Sequence, residues 1–221
     1  MNRTADVVIV GAGVIGSATA FELAKRGYKT LNIDKLPASG YGSTSNSCAI
    51  VRAHYSTWDG VAMAYEGFFY WDDWNKYLEV EDERGMAKYM KTGSIMFMLK
   101  GADHSKKSLN LFKEIGVEHE IWDLETLKKK MPIYSHDSYN GTSRPDEDDS
   151  FFDKSGDQIE GAVWTPGSGY VSDPQLATHN LQVATEAKGG EFLFDAEITE
   201  IRQANGPVSY THLTLPTTLN V

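Results

Sequence analysis

The stretch Val7-Val8-Ile9-Val10-Gly11-Ala12-Gly13-Val14-Ile15-Gly16 decides the fold: four apolar residues run directly into a G-x-G-x-x-G pattern, and Asp34 closes the next apolar segment. Each glycine of such a pattern has its own task. Gly11 permits a tight turn off a strand, Gly13 has no side chain to hold a pyrophosphate away from the backbone, and Gly16 lets the following helix pack closely on the sheet. The helix opening there presents unpaired N–H groups and the positive end of its dipole, which suits an anion.

A lone glycine pattern is weak evidence, so the flanks carry the argument. Val14 to Lys25 is rich in helix formers, with Ile15, Ala18 and Leu23 placed to face a sheet. Arg26-Gly27 gives a basic last turn and a glycine stop. Lys29 to Asp34 (KTLNID) then reads as a second strand that ends on an acid able to accept from a ribose hydroxyl. Glycines interrupt the apolar run after Arg3, and no small-residue cleavage site follows, so a signal peptide is not expected.

The chain has 221 residues, 41% hydrophobic and 24% charged, which is ordinary for one sizeable globular domain or two small ones. Its net charge of -10 disfavours nucleic acid and anionic membrane surfaces as partners, because either would repel it at long range. The single Cys48 cannot form an internal disulfide and reads as a small buried residue. With no cysteine cluster and no H-E-x-x-H pattern, no metal site is expected, and a reducing cytoplasm is the expected compartment. No apolar stretch is long enough for a membrane span.

Pro37 to Ser47 (PASGYGSTSNS) is a loop by composition. Leaving the carboxyl end of the second strand, it would lie beside the ribose and pyrophosphate. The hydroxyls of Ser43, Thr44 and Ser47 and the Asn46 amide are neutral donors suited to phosphate oxygens. Ser56 or Thr57 caps a helix predicted to run to about Leu78, whose aromatic residues suit core or interdomain packing better than ligand stacking. Residues 79 to 86 read as a charged linker, and Lys91 to Leu99 as a strand. Lys106 to Ile115 reads as a helix stopped by Gly116, and Asp123 caps a short helix ending at Pro132. The acidic segment 135 to 158 reads as an extended surface loop, its Asp146-Glu147-Asp148-Asp149 run solvated and lacking calcium-loop spacing. Gly161 to Tyr170 reads as a strand and a glycine turn. Asp173-Pro174 opens a helix through Ala187, Gly189-Gly190 stops it, and Glu191 to Ile201 supplies strand material. The six histidines are scattered without ligand or triad spacing, each read as a surface or ordinary polar residue.

In this order the pieces resemble the D-amino-acid oxidase-like (DAO) family of FAD-dependent oxidoreductases, of the sarcosine oxidase, glycine oxidase and dimethylglycine dehydrogenase type. Four features carry the resemblance: GAGVIG with Asp34; Gly42 to Ser47 leading to Ala49-Ile50-Val51-Arg52; Lys113 to Val117 before Leu124 to Pro132; and GSGYVSDPQLA from Gly167, followed by Gly189-Gly190 and Ala196 to Ile201. The resemblance implies an α/β fold: a Rossmann-like FAD-binding domain (GR2-type) with part of an α+β substrate domain, truncated. The expected segments are FAD-binding over 1–80, partial substrate domain over 81–160, a return to the FAD-binding domain over 161–207, and a non-native tail over 208–221.

By the same resemblance Gly11, Gly13, Val14, Ile15 and Gly16 would hold the FAD pyrophosphate, Asp34 the adenosine ribose, and Lys35 the ribose or adenine edge. Gly42, Ser43, Thr44, Asn46 and Ser47 would cover the phosphates and approach the ring system, and the backbone at Ile198 would meet the adenine. Arg52 matches an arginine that binds the substrate carboxylate in sarcosine oxidase-like members, a task suited to its fixed charge and planar fork; an ordinary surface arginine, or one that only supports the residues touching substrate, is the open alternative. No residue is assigned to catalysis. The chemistry implied is oxidation of a small amine or amino acid: hydride passes to the flavin, water hydrolyses the imine, and oxygen or an electron-transfer protein accepts the electrons. Asn46 stands where dimethylglycine dehydrogenase-like members carry a flavin-linking histidine, so that linkage is not available. Ala49 replaces a second arginine of sarcosine oxidase-like members, which departs from that substrate set.

Family members are usually close to twice this length. The tail from Val208 to Thr217 looks like a translated sequencing adapter, so residues from about 208 are expected to be artefact and the fragment alone inactive and a poor FAD binder. Two other readings stay open, an NAD-dependent dehydrogenase, which Asp34 suits equally, and a non-catalytic nucleotide-binding subunit of an amine oxidoreductase complex.

Overall fold

The apolar run Val7–Val10 forms strand β1, and the glycine turn after it opens helix α1 at Val14–Lys25. This computed structural model describes residues 3–101, 103–140 and 144–201, and the backbone alone at 211–214. The chain divides into two units. The first comprises Met1–Ile50, Tyr70–Tyr89 and Val171–Val221; the second comprises Val51–Phe69 and Met90–Tyr170.

The centre of the first unit is a parallel sheet in the order β1-β2-β11, with β2 at Thr30–Ile33 and β11 at Glu191–Leu193. All four residues of β2 are buried, as a strand covered on both faces requires. Of the residues of α1 expected to face the sheet, Ile15 does not: it is 81% exposed, and the buried stripe is Ser17, Ala20, Phe21 and Ala24. That stripe keeps i, i+3, i+4, i+7 spacing and is mostly small, so α1 can lie close to α6, Pro174–Ala187, which buries Ala177, Thr178, Leu181 and Ala184. Leu31, Ile33 and Ala196 form a further apolar cluster, with Leu193 and Ile198 packed on it.

Helix α6 begins as its sequence predicts. Pro174 occupies the first turn, and the Asp173 carboxylate accepts from the Leu176 N–H at 2.9 Å. Asp173→Ala is expected to destabilise the fold by about 1 kcal/mol, seen as a lower denaturant midpoint at unchanged slope.

Between these pieces the first unit holds α3, Trp74–Leu78. The single helix expected to reach Leu78 is instead α2, Trp58–Asp72, and then α3, because Asp73 leaves helical geometry at φ -127°, ψ 54°. Beyond the break Trp74 is buried and donates Nε1–H to Asn180 at 3.3 Å. Residues 82–87 are more than the charged linker the sequence suggests. Asp82 is buried and accepts from the Arg84 N–H and from Asn180 Nδ2, while Asn180 Oδ1 accepts from the Ala87 N–H.

The second unit is built on an antiparallel sheet, β5-β9-β6, formed by Ser94–Met98, Gly161–Thr165 and Glu120–Asp123. Alternation along β9 gives the sheet two apolar faces. On one, Val163 packs with Met96 and with Phe112 of α4, Asp103–Ile115; on the other, Ala162 packs with Trp122 and with Leu127 of α5, Leu124–Lys130. Phe68 of α2 joins the first of these clusters, and the Asp123 carboxylate caps α5 through the Thr126 N–H. Residues 135–158 are not wholly a loop: β7, Asp137–Tyr139, pairs with β8, Lys154–Gln158, where Lys154 and Asp137 form an ion pair. Residues 50–51 (β3), 169–171 (β10) and 89–90 (β4) pair in the order β3-β10-β4. Strand β12, Glu197–Ile201, pairs with β13, Thr211–Thr214; the rest of the expected artefact tail, 208–210 and 215–221, lies outside the described residues. No helix among the described residues is long and apolar enough to cross a membrane.

Candidate functional site

The carboxyl end of the β1-β2-β11 sheet collects most of the residues singled out from the sequence. Gly11 leaves β1 with φ +103° and donates its N–H to Ile33 O at 2.8 Å, which fixes the turn to the neighbouring strand. Gly16 lies against the start of the same turn, where a Cβ would come within 2.1 Å of Gly11 O. Gly13 is the N-cap of α1, has no capping side chain, and is followed by no acid in the first turn. A helix end with those features favours an anion.

Asp34 sits just past β2, and both its carboxylate oxygens are engaged: Oδ2 accepts from the Ala12 N–H at 2.7 Å and Oδ1 from the Leu36 N–H at 2.9 Å. These bonds hold the carboxylate beside the glycine turn. Each oxygen keeps a second lone pair, which leaves room to accept from a ribose hydroxyl. Lys35 is exposed. The strand that follows β11 is drawn to the same place by the main chain: Asp34 N–H donates to Leu193 O, Ala196 N–H to Asp34 O, and Asp195 N–H to Leu36 O. Ile198, two residues beyond Ala196, is thus brought to the Asp34 end of the sheet despite its distance in sequence.

The loop after Asp34 is laid over the start of α1. Gly40 N–H donates to Ala12 O at 2.8 Å, and Thr44 Oγ1 accepts from the Val14 N–H at 3.0 Å. A hydroxyl that accepts in this way keeps its own proton to donate. The other polar side chains of the loop brace it internally: Ser47 Oγ donates to Thr44 O, and the Asn46 amide and Ser45 Oγ donate to Gly42 O. Ser43 is exposed. Cys48 is exposed as well, contrary to the buried reading, because its neighbours form a surface turn instead of entering a strand.

Sequence reasoning passed over two residues here. Gly40 takes φ +76° and packs against α6, where a Cβ would lie 3.1 Å from Thr178 Cβ. Asn32, in the middle of buried β2, donates Nδ2 to both Gly11 O (3.3 Å) and Gly16 O (3.2 Å). The signal for Asn32 was present, a lone amide in an otherwise apolar strand core.

Arg52 belongs to the second unit, exposed and just past β3. Its segment is anchored by His54, which is 7% exposed, contacts Thr165 Oγ1 at 3.0 Å and stacks on Phe112. Burial, with smaller repulsive contributions from Arg52 and His104, pushes the His54 pKa down to about 4, so the ring is neutral at physiological pH. Tyr55 O accepts from Ser108 Oγ at 3.1 Å, which fixes the other end of the segment. Among the described residues no group of three or more His, Cys, Asp or Glu is placed to hold a metal.

FAD fits the first-unit site on its donor chemistry: a side-chain-free helix start for a pyrophosphate, a carboxylate for a ribose, and the strand segment at Ile198 beside them. The family model for FAD dependent oxidoreductases, DAO, matches residues 6–217. Monomeric sarcosine oxidase from Bacillus sp. is 25% identical over 215 residues, covering 96% of this chain and 50% of that protein. L-proline dehydrogenase from P. horikoshii superposes with a TM-score of 0.74 at 20% identity, over 96% of this chain and 50% of that one. Glycine oxidase from Geobacillus kaustophilus gives 0.64 at 23% identity, over 90% and 48%. The structural likenesses establish a Rossmann-like FAD-binding architecture, and the chain spans about half the length of the relatives it matches. The family and the sarcosine oxidases within it depend on FAD. With the family match running across nearly all of its length, this chain belongs to the DAO family of FAD dependent oxidoreductases.

Proposed function

We propose that this chain carries the nucleotide-binding part of an enzyme that oxidises a small amine or amino acid, with the FAD pyrophosphate on the start of α1 and the adenosine ribose on Asp34. The observation that supports it most is the convergence of three separate stretches on one sheet end: the Gly11–Gly16 turn, Asp34, and the loop that reaches Val14 through Thr44. FAD, when bound, supplies the two-electron oxidation of the carbon–nitrogen bond. This chain's residues do the holding. Ile15 and Gly16 present main-chain N–H groups to the phosphates, Val14 acts through Thr44, which accepts its N–H and offers the hydroxyl proton in its place, and Asp34 accepts from the ribose. Lys35, Gly42, Ser43, Asn46 and Ser47 border the same nucleotide, and Ile198 supplies backbone to the adenine.

Arg52 is proposed to bind the substrate carboxylate, held in place by the buried His54 and Ala53 that follow it. Sarcosine, glycine and related amino acids are the proposed substrates, with oxygen or an electron-transfer protein as the final acceptor.

Full-length protein purified with bound flavin and mixed anaerobically with glycine, sarcosine, dimethylglycine, proline or D-amino acids is expected to lose its flavin absorbance with at least one of them. Colourless protein that reduces added NAD would overturn the FAD reading. Bound flavin that no amine bleaches would leave a nucleotide-binding subunit in its place.

A further inference from the structure

We infer that Asn32 is a positioning residue for the dinucleotide pyrophosphate: its buried amide ties the first and last glycines of the fingerprint turn together from beneath. The inference rests on the reading of this turn as the FAD pyrophosphate site.

Strand β2 is buried at all four positions, and Asn32 is 0% exposed. A polar side chain in such a strand must find partners or cost stability. Its Nδ2 finds two, the carbonyl oxygens of Gly11 and Gly16. Its Oδ1 finds none among the described residues. An amide half-satisfied in this way brings little net stability. Leucine would remove the unpaired Oδ1 but also the amide bond to Gly11 O, two opposed effects of similar size, so the stability of the fold does not by itself account for the residue.

The position of the bonds does account for it. Gly16 is packed against Gly11 O more closely than any side chain would allow, and the Asn32 amide lies across both carbonyls. Of the other carbonyls of the turn, Ala12 O is taken by the Gly40 N–H and by Ser17 Oγ, and Gly13 O by the Ser17 N–H. With Gly11 O and Ala12 O tied back into the protein, and the helical Gly16 O pointing away from the helix start, an arriving phosphate meets main-chain N–H groups without opposing carbonyl lone pairs. The turn is also fixed before the ligand arrives, so less ordering is needed on binding.

Two variants of the full-length protein test this, each read by FAD titration through flavin fluorescence quenching and by thermal midpoint. Asn32→Leu is expected to bind FAD about tenfold more weakly while melting at the same temperature or higher, opposite signs that a purely structural role does not produce. Asn32→Asp keeps one donor when protonated and sets a negative charge against two carbonyl oxygens when ionised. Its FAD dissociation constant, relative to wild type, is therefore expected to rise between about pH 5 and about pH 8. Asn32→Leu binding FAD within about twofold of wild type, or losing thermal midpoint, overturns the inference, as does a pH-independent ratio for Asn32→Asp. Wild-type protein that binds no FAD overturns the pyrophosphate reading itself and this inference with it.

Discussion

Alanine at position 16 is expected to abolish stable FAD retention. The substitution looks mild, since alanine favours a helix over glycine by about 1 kcal/mol. The geometry reverses the sign: the new Cβ would lie 2.1 Å from Gly11 O and 3.0 Å from Gly11 C, both backbone atoms of the turn itself. Relief requires the start of α1 to move off the turn, which costs about 2–3 kcal/mol and separates the N–H groups that face the phosphates. FAD affinity should fall by about 100-fold. Gly67→Ala is the control, because this helical glycine of α2 is away from the turn and its Cβ would meet nothing within 4 Å. Fluorescence titration of both variants decides the matter; equal affinities for Gly16→Ala and wild type would mean that the turn does not hold the nucleotide.

Removing the Asp82 carboxylate should be the most damaging change away from the nucleotide. Its side chain is 2% exposed and accepts from His179 Nδ1, Asn180 Nδ2 and the Arg84 N–H. Asn180 in turn accepts from Trp74 and the Ala87 N–H and donates to Gly85 O, so one acid holds residues 82–87 against α6. Asp82→Ala strands these donors in a buried place and is expected to cost about 3–5 kcal/mol, read as a large drop in denaturant midpoint.

The acid limb of the stability curve gives a second readout. Burial pushes the Asp82 pKa up, but the N–H of Arg84 and the His179 and Asn180 side chains outweigh it and hold the group below its ordinary 3.8. The folded state therefore binds the proton less readily than the unfolded one. The stabilisation is present in full above that ordinary value and is lost as pH falls through the lower folded one. Asp82→Ala should flatten the acid limb in a urea series run from neutral to acid pH, and an unchanged acid limb would remove Asp82 from this role.

The strand, turn and helix of the nucleotide site were legible because each glycine answers a local steric demand that no other residue meets. Likewise Asp123 and Asp173 announced α5 and α6 by the capping chemistry of their own side chains. The β7–β8 hairpin was hidden: β8 is exposed at every position, so no apolar alternation marks it, and an ion pair between Lys154 and Asp137 accompanies the pairing. Helix α1 misled in detail for a related reason. Its sequence offers Ile15 and Leu23 as burial candidates, but close approach to α6 selected the small residues Ser17, Ala20 and Ala24, with Phe21.

By itself the sequence determined the glycine turn, the acid at the end of β2, the donor-rich loop after it and the family these belong to, since all depend on local sterics, hydrogen-bonding capacity and order along the chain. Tertiary structure alone decided which distant stretches share the site. Main-chain bonds from residues 193–196 to Asp34 and Leu36 bring Ile198 to the sheet end, Gly40 is fastened over Ala12, and Asn32 is turned up beneath the two glycines. Those contacts join residues far apart in sequence, and no propensity or spacing along a single segment encodes them.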